Sequence, residues 1–375
     1  ETYATADTMT YKKIDTTNYP EQFRHKEESL IKKLSKFGVQ QLDTFESPRK
    51  HYRMRAEFRV WHEGDDLYYI MFNPETREKI RMGEFLPGSE LINRLMKQLI
   101  EKLKPNPILR NKLFQVDFLT TTTNQAVISL LYHRPLDDEW EKEATALREE
   151  FKESADINII GRARKQKRVL FDDSVIEHVN VGNKTYQSIQ TENSFTQPNA
   201  RINEAMIGWV KQHIGQNDHD LLELYCGNGN FTLPLAENFQ RVLATEISKS
   251  SVASARRSAE LNNIENVTIV RMSAEEFTEA LNGERSSRRA DEADIKSFDC
   301  KTVLVDPPRA GLDAETLKMV SAYSRIIYIS CNPDTLAENL DYLTETHEII
   351  AAAMFDQFPY TDHVETGVVL KAKAD

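Results

Sequence analysis

Residues 221–231 read LLELYCGNGNF, and residues 241–247 read RVLATEI. The first is a short apolar run that enters a glycine turn, and TLPLAENF (232–239) behind it has the make-up of a helix. Glycines at 227 and 229 let the backbone turn tightly and approach a ligand closely. The second run ends in Glu246, roughly twenty residues on, where doubly wound sheets hold a ribose diol. Outward from this pair the same grammar continues. DLLELY, RVLATEI, NVTIVRM, KTVLVDPP, RIIYISC, EIIAAAMFDQF and TGVVLKAK are short apolar runs separated by helical stretches. Such alternation predicts an α/β domain with a doubly wound, mainly parallel sheet, here assigned to residues 191–375. Thr196 is expected to cap the helix NARINEAMIGWVKQHI (199–214), with Pro198 in its first turn.

Residues 1–190 read differently, as an α+β domain. PEQFRHKEESLIKKLSKF (20–37) has a helical apolar period. HYRMRAEFRVWH (51–62) alternates: Tyr52, Met54, Ala56, Phe58 and Val60 fall on one face, Arg53, Arg55, Glu57, Arg59 and Trp61 on the other. DLYYIMF returns as its partner strand. A helix (89–104), a hairpin (112–121 with 124–133), an acidic helix (138–153) and the strand INIIGRARKQKRVLF (157–171) follow. The charged run 282–297 in the second domain is read as a loop or insertion.

Composition narrows the function classes. The chain has 375 residues, 40% hydrophobic and 29% charged, with a net charge of −11. No apolar stretch reaches the roughly 18–20 residues of a membrane span, and no leader pattern opens the chain. Cys226, Cys300 and Cys331 form neither a metal spacing nor a disulfide framework, which suits the cytoplasm. The acidic balance argues against non-specific coating of nucleic acid. Local basic clusters, 49–59 and 162–168, leave a specific RNA surface open.

The chemistry gathers at strand ends. GNGNF lacks the third glycine of a dinucleotide fingerprint and carries no basic residue for a pyrophosphate. That favours S-adenosylmethionine over a nicotinamide or flavin, although the turn alone leaves both open. TVLVDPPRAGLD (302–313) places Asp306 at a strand end, followed by a rigid Pro-Pro. RIIYISCNPDTL (325–336) breaks from strand to loop at Cys331, and FPYTDHVETGVVL (358–370) sets Glu365 ahead of the last strand. Methylation of uracil at C5 requires a thiol, a carboxylate or imidazole as base, and groups that hold the pyrimidine and stabilise the enolate, a set that Cys331, Glu365 and Asp306 would supply. The thiolate adds at C6, C5 becomes nucleophilic, and a base later removes the C5 proton.

HYRMRAEFR, ENSFTQPN, LLELYCGNGNF, VLATEI, VDPPRAGLD, YISCNP and FDQFPYTDHVE together resemble the RNA uracil-5 methyltransferases, and among them the bacterial tRNA branch. The resemblance spans nearly the whole chain. It implies S-adenosyl-L-methionine held by Gln197, Tyr225, Asn230, Glu246 and Asp306, with Cys331 as nucleophile and Glu365 as base. It implies the T-arm of tRNA, and the similar arm of tmRNA, as partner; no obligate protein partner or membrane is indicated. The extra OB-like domain and iron–sulfur cysteines of members acting on ribosomal RNA are not seen, which points to tRNA. A looped-in uridine must be extruded, so phosphate contacts and aromatic platforms are needed. Arg53, Arg55 and Arg59, with Phe114 and His133, are the candidates. The competing readings are an RNA cytosine-5 methyltransferase, a nicotinamide-linked dehydrogenase and a T-arm RNA-folding module without chemistry.

Overall fold

The computed structural model describes residues 13–374. The chain divides into two compact units, one built from Pro48–His178 and Gln190–Ser194, the other from Thr17–Ser47, Val179–Ile189 and the run from Phe195 onward. A single cut at 190/191 therefore does not describe it, because Thr17–Ser47 goes with the second unit. The cause is burial. Helix Tyr19–Leu34 puts Tyr19, Phe23, Leu30 and Leu34 into one core cluster with Leu222, Val303 and Tyr328. Strand Asp43–Phe45 then pairs in parallel with His347–Phe355.

The second unit is organised by an eight-stranded sheet. Its order is Asp43–Phe45, His347–Phe355, Glu365–Ala372, Arg325–Ser330, Cys300–Val305, Asp220–Leu224, Val242–Glu246, Val267–Arg271. Every strand is parallel to its neighbours except Glu365–Ala372, which runs antiparallel to both of its own. The chain winds outward in opposite directions from Asp220–Leu224, which makes this strand's carboxyl end the switch point where open α/β sheets gather ligands. All five of its residues are buried, as a parallel strand covered on both faces requires. Helix Ala200–Ile214 begins differently from expectation. Asn199, not Thr196, is the cap, its side chain accepting from the Ile202 N–H, and Pro198 lies before the helix. Thr196 is itself buried. The charged run 282–297 contains a short helix, Arg288–Ala293, capped by Ser287.

The first unit is a seven-stranded sheet, ordered Lys79–Met82, Asp66–Phe72, Arg55–Glu63, Leu113–Thr120, Gln125–Tyr132, Asp156–Ala163, Gln166–Leu170. The alternation of the arginine strand holds: Ala56, Phe58 and Val60 enter a core with Tyr69, Phe118 and Trp140. The run read as one strand, 157–171, is two, turning at Lys165 with φ 57°. Helices Glu90–Leu103 and Asp138–Glu150 are capped by Ser89 and Asp137. A hairpin the sequence reading missed, Ser174–Val181 with Lys184–Thr191, forms a separate two-stranded sheet. Among the described residues no helix is long and apolar enough to cross a membrane.

Candidate active site

The glycine turn is built by a departure from ordinary backbone. Tyr225, Gly227 and Gly229 all take positive φ, at 59°, 56° and 87°. Glycine does this freely, whereas a tyrosine is held there against a cost of about 1–2 kcal/mol. The strand end at Glu246 supplies part of the hold. Its carboxylate accepts the Gly227 N–H at 3.1 Å and the Ser248 N–H at 2.8 Å, tying two strand ends together. Asn230 is locked by a reciprocal amide pair with Asn203, at 2.9 and 2.6 Å. Gln197 accepts from the buried amide of Gln357, and Asn199 fixes the same stretch by donating to Ser47 Oγ at 2.8 Å. Gln197, Tyr225, Asn230 and Glu246 thus all lie in this unit, each with defined surroundings.

One acid here escaped the sequence reading. Glu223 is buried inside LLELY, accepts from the Thr232 hydroxyl at 2.6 Å, and is pushed up to about 8, chiefly by burial and further by Asp306 and Glu246. The signal was present: an acid within an apolar parallel strand has no solvent face to occupy.

The sheet register brings the candidate catalytic residues to one end of the sheet. Leu224 is opposite Val305, and Val305 opposite Tyr328, so Tyr225 and Asp306 emerge at the carboxyl ends of adjacent strands. Ser330 is opposite Thr366 on the antiparallel strand. Cys331 follows the first and Glu365 precedes the second, so the register brings the two residues side by side at the same end of paired strands, near enough for Glu365 to act on the thiol's charge. Two loops lock the cysteine's backbone. Asn332 caps helix Pro333–Leu343 and donates to the Arg309 carbonyl at 3.1 Å, while Thr335 donates to that carbonyl at 2.8 Å. The DPPR and SCNP segments are thereby joined.

Burial and mutual repulsion push protons onto this cluster. The Cys331 thiol is raised to about 12 by burial, then by Glu365 and Asp306, with Arg309 pulling the other way. Asp306 is raised by burial to about 7. Glu365 is buried and lies well above the carboxylate range, from burial first and Asp306 second. Cys226, by contrast, is buried among apolar side chains as a small core residue.

The loop ahead of Glu365 is held by residues that sequence reasoning passed over. Asp356 accepts from Lys26 Nζ and from the Tyr19 hydroxyl, each at 2.7 Å. His363, two residues before Glu365, has its carbonyl bound by Lys26 at 2.8 Å and its ring edge-on to Phe358, centroids 5.9 Å apart.

In the first unit the candidate RNA residues part company. Phe114 is not a core residue: it stacks on His133 at 3.8 Å with the rings 9° from parallel, and Arg59 lies 5.6 Å over its face. Phe114 and His133 line a cavity of about 730 Å³ with Arg134, Arg162 and Arg164. Arg55 is turned inward. Its guanidinium donates to the Ser194 carbonyl and lies among Glu57, Asp117 and Glu192, with burial pulling its pKa down. That setting suits an organiser of the fold better than a phosphate contact. Arg53 stays by its own strand, donating to the Arg55 carbonyl at 3.3 Å.

Residues 18–373 match the tRNA (Uracil-5-)-methyltransferase family. The chain is 70% identical over 366 residues, 98% of its length and 100% of the relative's, to a tRNA/tmRNA (uracil-C(5))-methyltransferase of Idiomarina loihiensis. It is 56% identical over 364 residues, 96% of this chain and 99% of the other, to a protein of that description from Vibrio parahaemolyticus. Its fold is similar to that of the Pyrococcus abyssi tRNA (uracil-54, C5)-methyltransferase solved with S-adenosyl-L-homocysteine. There the TM-score is 0.71 at 20% identity, covering 94% of this chain and 83% of that one. With the match running from Asn18 to Lys373 and relatives aligned over nearly their whole length, this chain belongs to the tRNA (uracil-5-)-methyltransferase family.

Proposed function

We propose that this enzyme methylates C5 of the T-loop uridine of tRNA, position 54, and the equivalent uridine of tmRNA, through a covalent bond between Cys331 and C6 of the base. Uracil-5 methylation of tRNA and tmRNA comes with the family, and the donor is S-adenosyl-L-methionine, which supplies an electrophilic methyl group. The residues fit such a donor. Glu223, Asp306 and Glu365 form an acidic set in which every group is driven toward its protonated form, the surroundings that a monocationic sulfonium relieves. Gln197, Tyr225, Asn230, Glu246 and Asp306 are the residues that would hold it.

The single observation that carries the mechanism is the register that sets Cys331 beside Glu365 at the ends of paired strands. The thiol must first lose its proton, and Asp306, whose basicity burial raises, is a carboxylate of the same cluster that can accept it. Sγ then bonds to C6, and the electron pair of the C5–C6 double bond moves into the ring to make C5 nucleophilic. After methylation, Glu365 takes the C5 proton, that C–H pair re-forms C5–C6, and the C6–Sγ bond breaks to return the thiolate. A raised pKa makes Glu365 a stronger base in its ionised form. Extrusion of the uridine falls to the first unit, with Arg59 on the phosphates and the Phe114–His133 stack as a platform for an unpaired base. The reaction belongs in the cytoplasm, where tRNA is processed.

Trapping tests this order of events. Cys331→Ala should form no adduct with unmodified tRNA on a denaturing gel, whereas Glu365→Gln should accumulate a methylated, gel-stable complex. His363→Ala is run beside them. Trapping by His363→Ala with normal turnover in Glu365→Gln would transfer the base role to His363. An adduct in Cys331→Ala would end the mechanism.

A further inference from the structure

Lys26 stands where an apolar residue belongs. It occupies the buried stripe of helix Tyr19–Leu34, between Phe23 and Leu30, and is 8% exposed. A lysine ammonium has three hydrogens to donate. Three acceptors take them: Asp356 Oδ1 at 2.7 Å, the Phe358 carbonyl at 2.9 Å and the His363 carbonyl at 2.8 Å. The same helix adds two more ties, from the Tyr19 hydroxyl to Asp356 at 2.7 Å and from the Tyr360 N–H to Gln22 at 2.7 Å. Together they close the loop between strand His347–Phe355 and strand Glu365–Ala372, and the first residue of that second strand is Glu365. Phe355 lies opposite Glu365 in the register, so the loop begins and ends beside the carboxylate.

Stability alone is a poor reason for this arrangement. A buried ion pair is often matched or bettered by apolar side chains of similar volume. An apolar residue, however, could not hold two carbonyls and a carboxylate at fixed positions along one loop.

We propose that Lys26 is a positioning residue for removal of the C5 proton, holding the loop Asp356–His363 closed so that Glu365 meets the substrate carbon. This rests on the reading of Glu365 as the base. The step served is the last one: the C5–H bond breaks toward Glu365, C5–C6 regains its double bond, and C6–Sγ breaks. Thiol addition depends on Cys331, which is carried by a different strand and locked by the ties of Asn332 and Thr335 to the Arg309 carbonyl. The two steps therefore respond differently to loosening of the loop.

The test uses the full chain, an unmodified T-arm transcript and labelled S-adenosylmethionine. The working variant pairs Lys26→Met with Asp356→Asn, so that no buried charge is orphaned. Lys26→Met alone, Lys26→Arg and Glu365→Gln accompany it. A base displaced by about 1 Å slows its step on the order of ten- to a hundredfold. The paired variant should keep single-turnover methyl transfer and KM for both substrates, lose about tenfold or more in kcat, and accumulate the methylated adduct. Lys26→Arg should recover part of kcat. If kcat and the single-turnover amplitude fall together in proportion to folded protein, with no adduct accumulating, Lys26 is structural and the inference is overturned. Wild-type kcat in the paired variant overturns it as well. If the paired variant does not fold, Gln22→Ala takes its place, with the same adduct signature supporting the proposal and its absence refuting it. Accumulation in Glu365→Gln but not in the Lys26 variants removes the positioning role alone. Failure of Glu365→Gln to accumulate removes the base assignment on which it stands.

Discussion

Arg55 and Arg59 lie on one strand, Arg55–Glu63, yet the structure gives them different surroundings. Arg55 lies among Glu57, Asp117 and Glu192 and donates to Ser194, whereas Arg59 is exposed over Phe114. Arg55→Met keeps the bulk of the stem and takes a cation out of a group of three carboxylates. Removing one partner from a buried charge pair costs about 3–5 kcal/mol. Asp117 softens this. Burial, and then Glu57, push it up to about 7, so it is already protonated in part at neutral pH. Completing that protonation costs ~1.4 kcal/mol per pH unit. The expected loss is therefore ~2–4 kcal/mol at pH 7.5, shrinking at pH 5.5 where Asp117 is already neutral. Urea unfolding at the two pH values reads it directly. Arg59→Glu should change stability by no more than ~0.5 kcal/mol. It should instead flatten the log–log salt dependence of tRNA binding by about 0.7–0.9 for each phosphate that is no longer neutralised. If Arg55→Met unfolds like the wild type at pH 7.5 and flattens the salt slope, Arg55 is a phosphate ligand and the reasoning from its buried surroundings is wrong.

Asp117→Asn tests the same cluster from the other side. The folded pKa is raised, so between about 4 and about 7 the folded state keeps a proton that the unfolded state has released, and stability falls as pH rises through that window. The variant should therefore match the wild type near pH 4 and exceed it near pH 8 in urea unfolding, and a loss at pH 8 would refute the sign. Gly161→Ala should destabilise by about 1–3 kcal/mol, read as a lower Tm, because an added Cβ would lie 2.3 Å from the Trp140 ring. Glu246→Ala should raise the S-adenosylmethionine Kd about tenfold or more, since hydrogen bonds to a charged group contribute about 1.5–3 kcal/mol. Equilibrium dialysis with labelled cofactor measures it, and wild-type affinity would move the cofactor site elsewhere.

The candidate catalytic residues share a local signature in the sequence. Asp306, Cys331 and Glu365 each stand where an apolar run meets a loop, and strand ends are where an open α/β sheet gathers its chemistry. The residues that were not legible depend on partners far along the chain. A two-residue period placed Arg53, Arg55 and Arg59 on one face of their strand. It could not show that Ser194 and Glu192, more than a hundred residues later, enclose Arg55 and leave Arg59 open. A helical period in 20–37 likewise showed that one face is buried but not which core receives it, so the segment was grouped with the strands that follow it. Its contacts are instead with Asp356, Phe358, Tyr360 and His363, over 300 residues away. Yet the stripe Tyr19, Phe23, Lys26, Leu30, Leu34 carries a local mark of that distance. A lysine at a core position must find acceptors inside, because burying an unpaired ammonium is too costly to persist. Reading Lys26 as a demand for a buried carboxylate would have pointed from the sequence to the acid of FDQF, and so from the first helix to the loop that leads into Glu365.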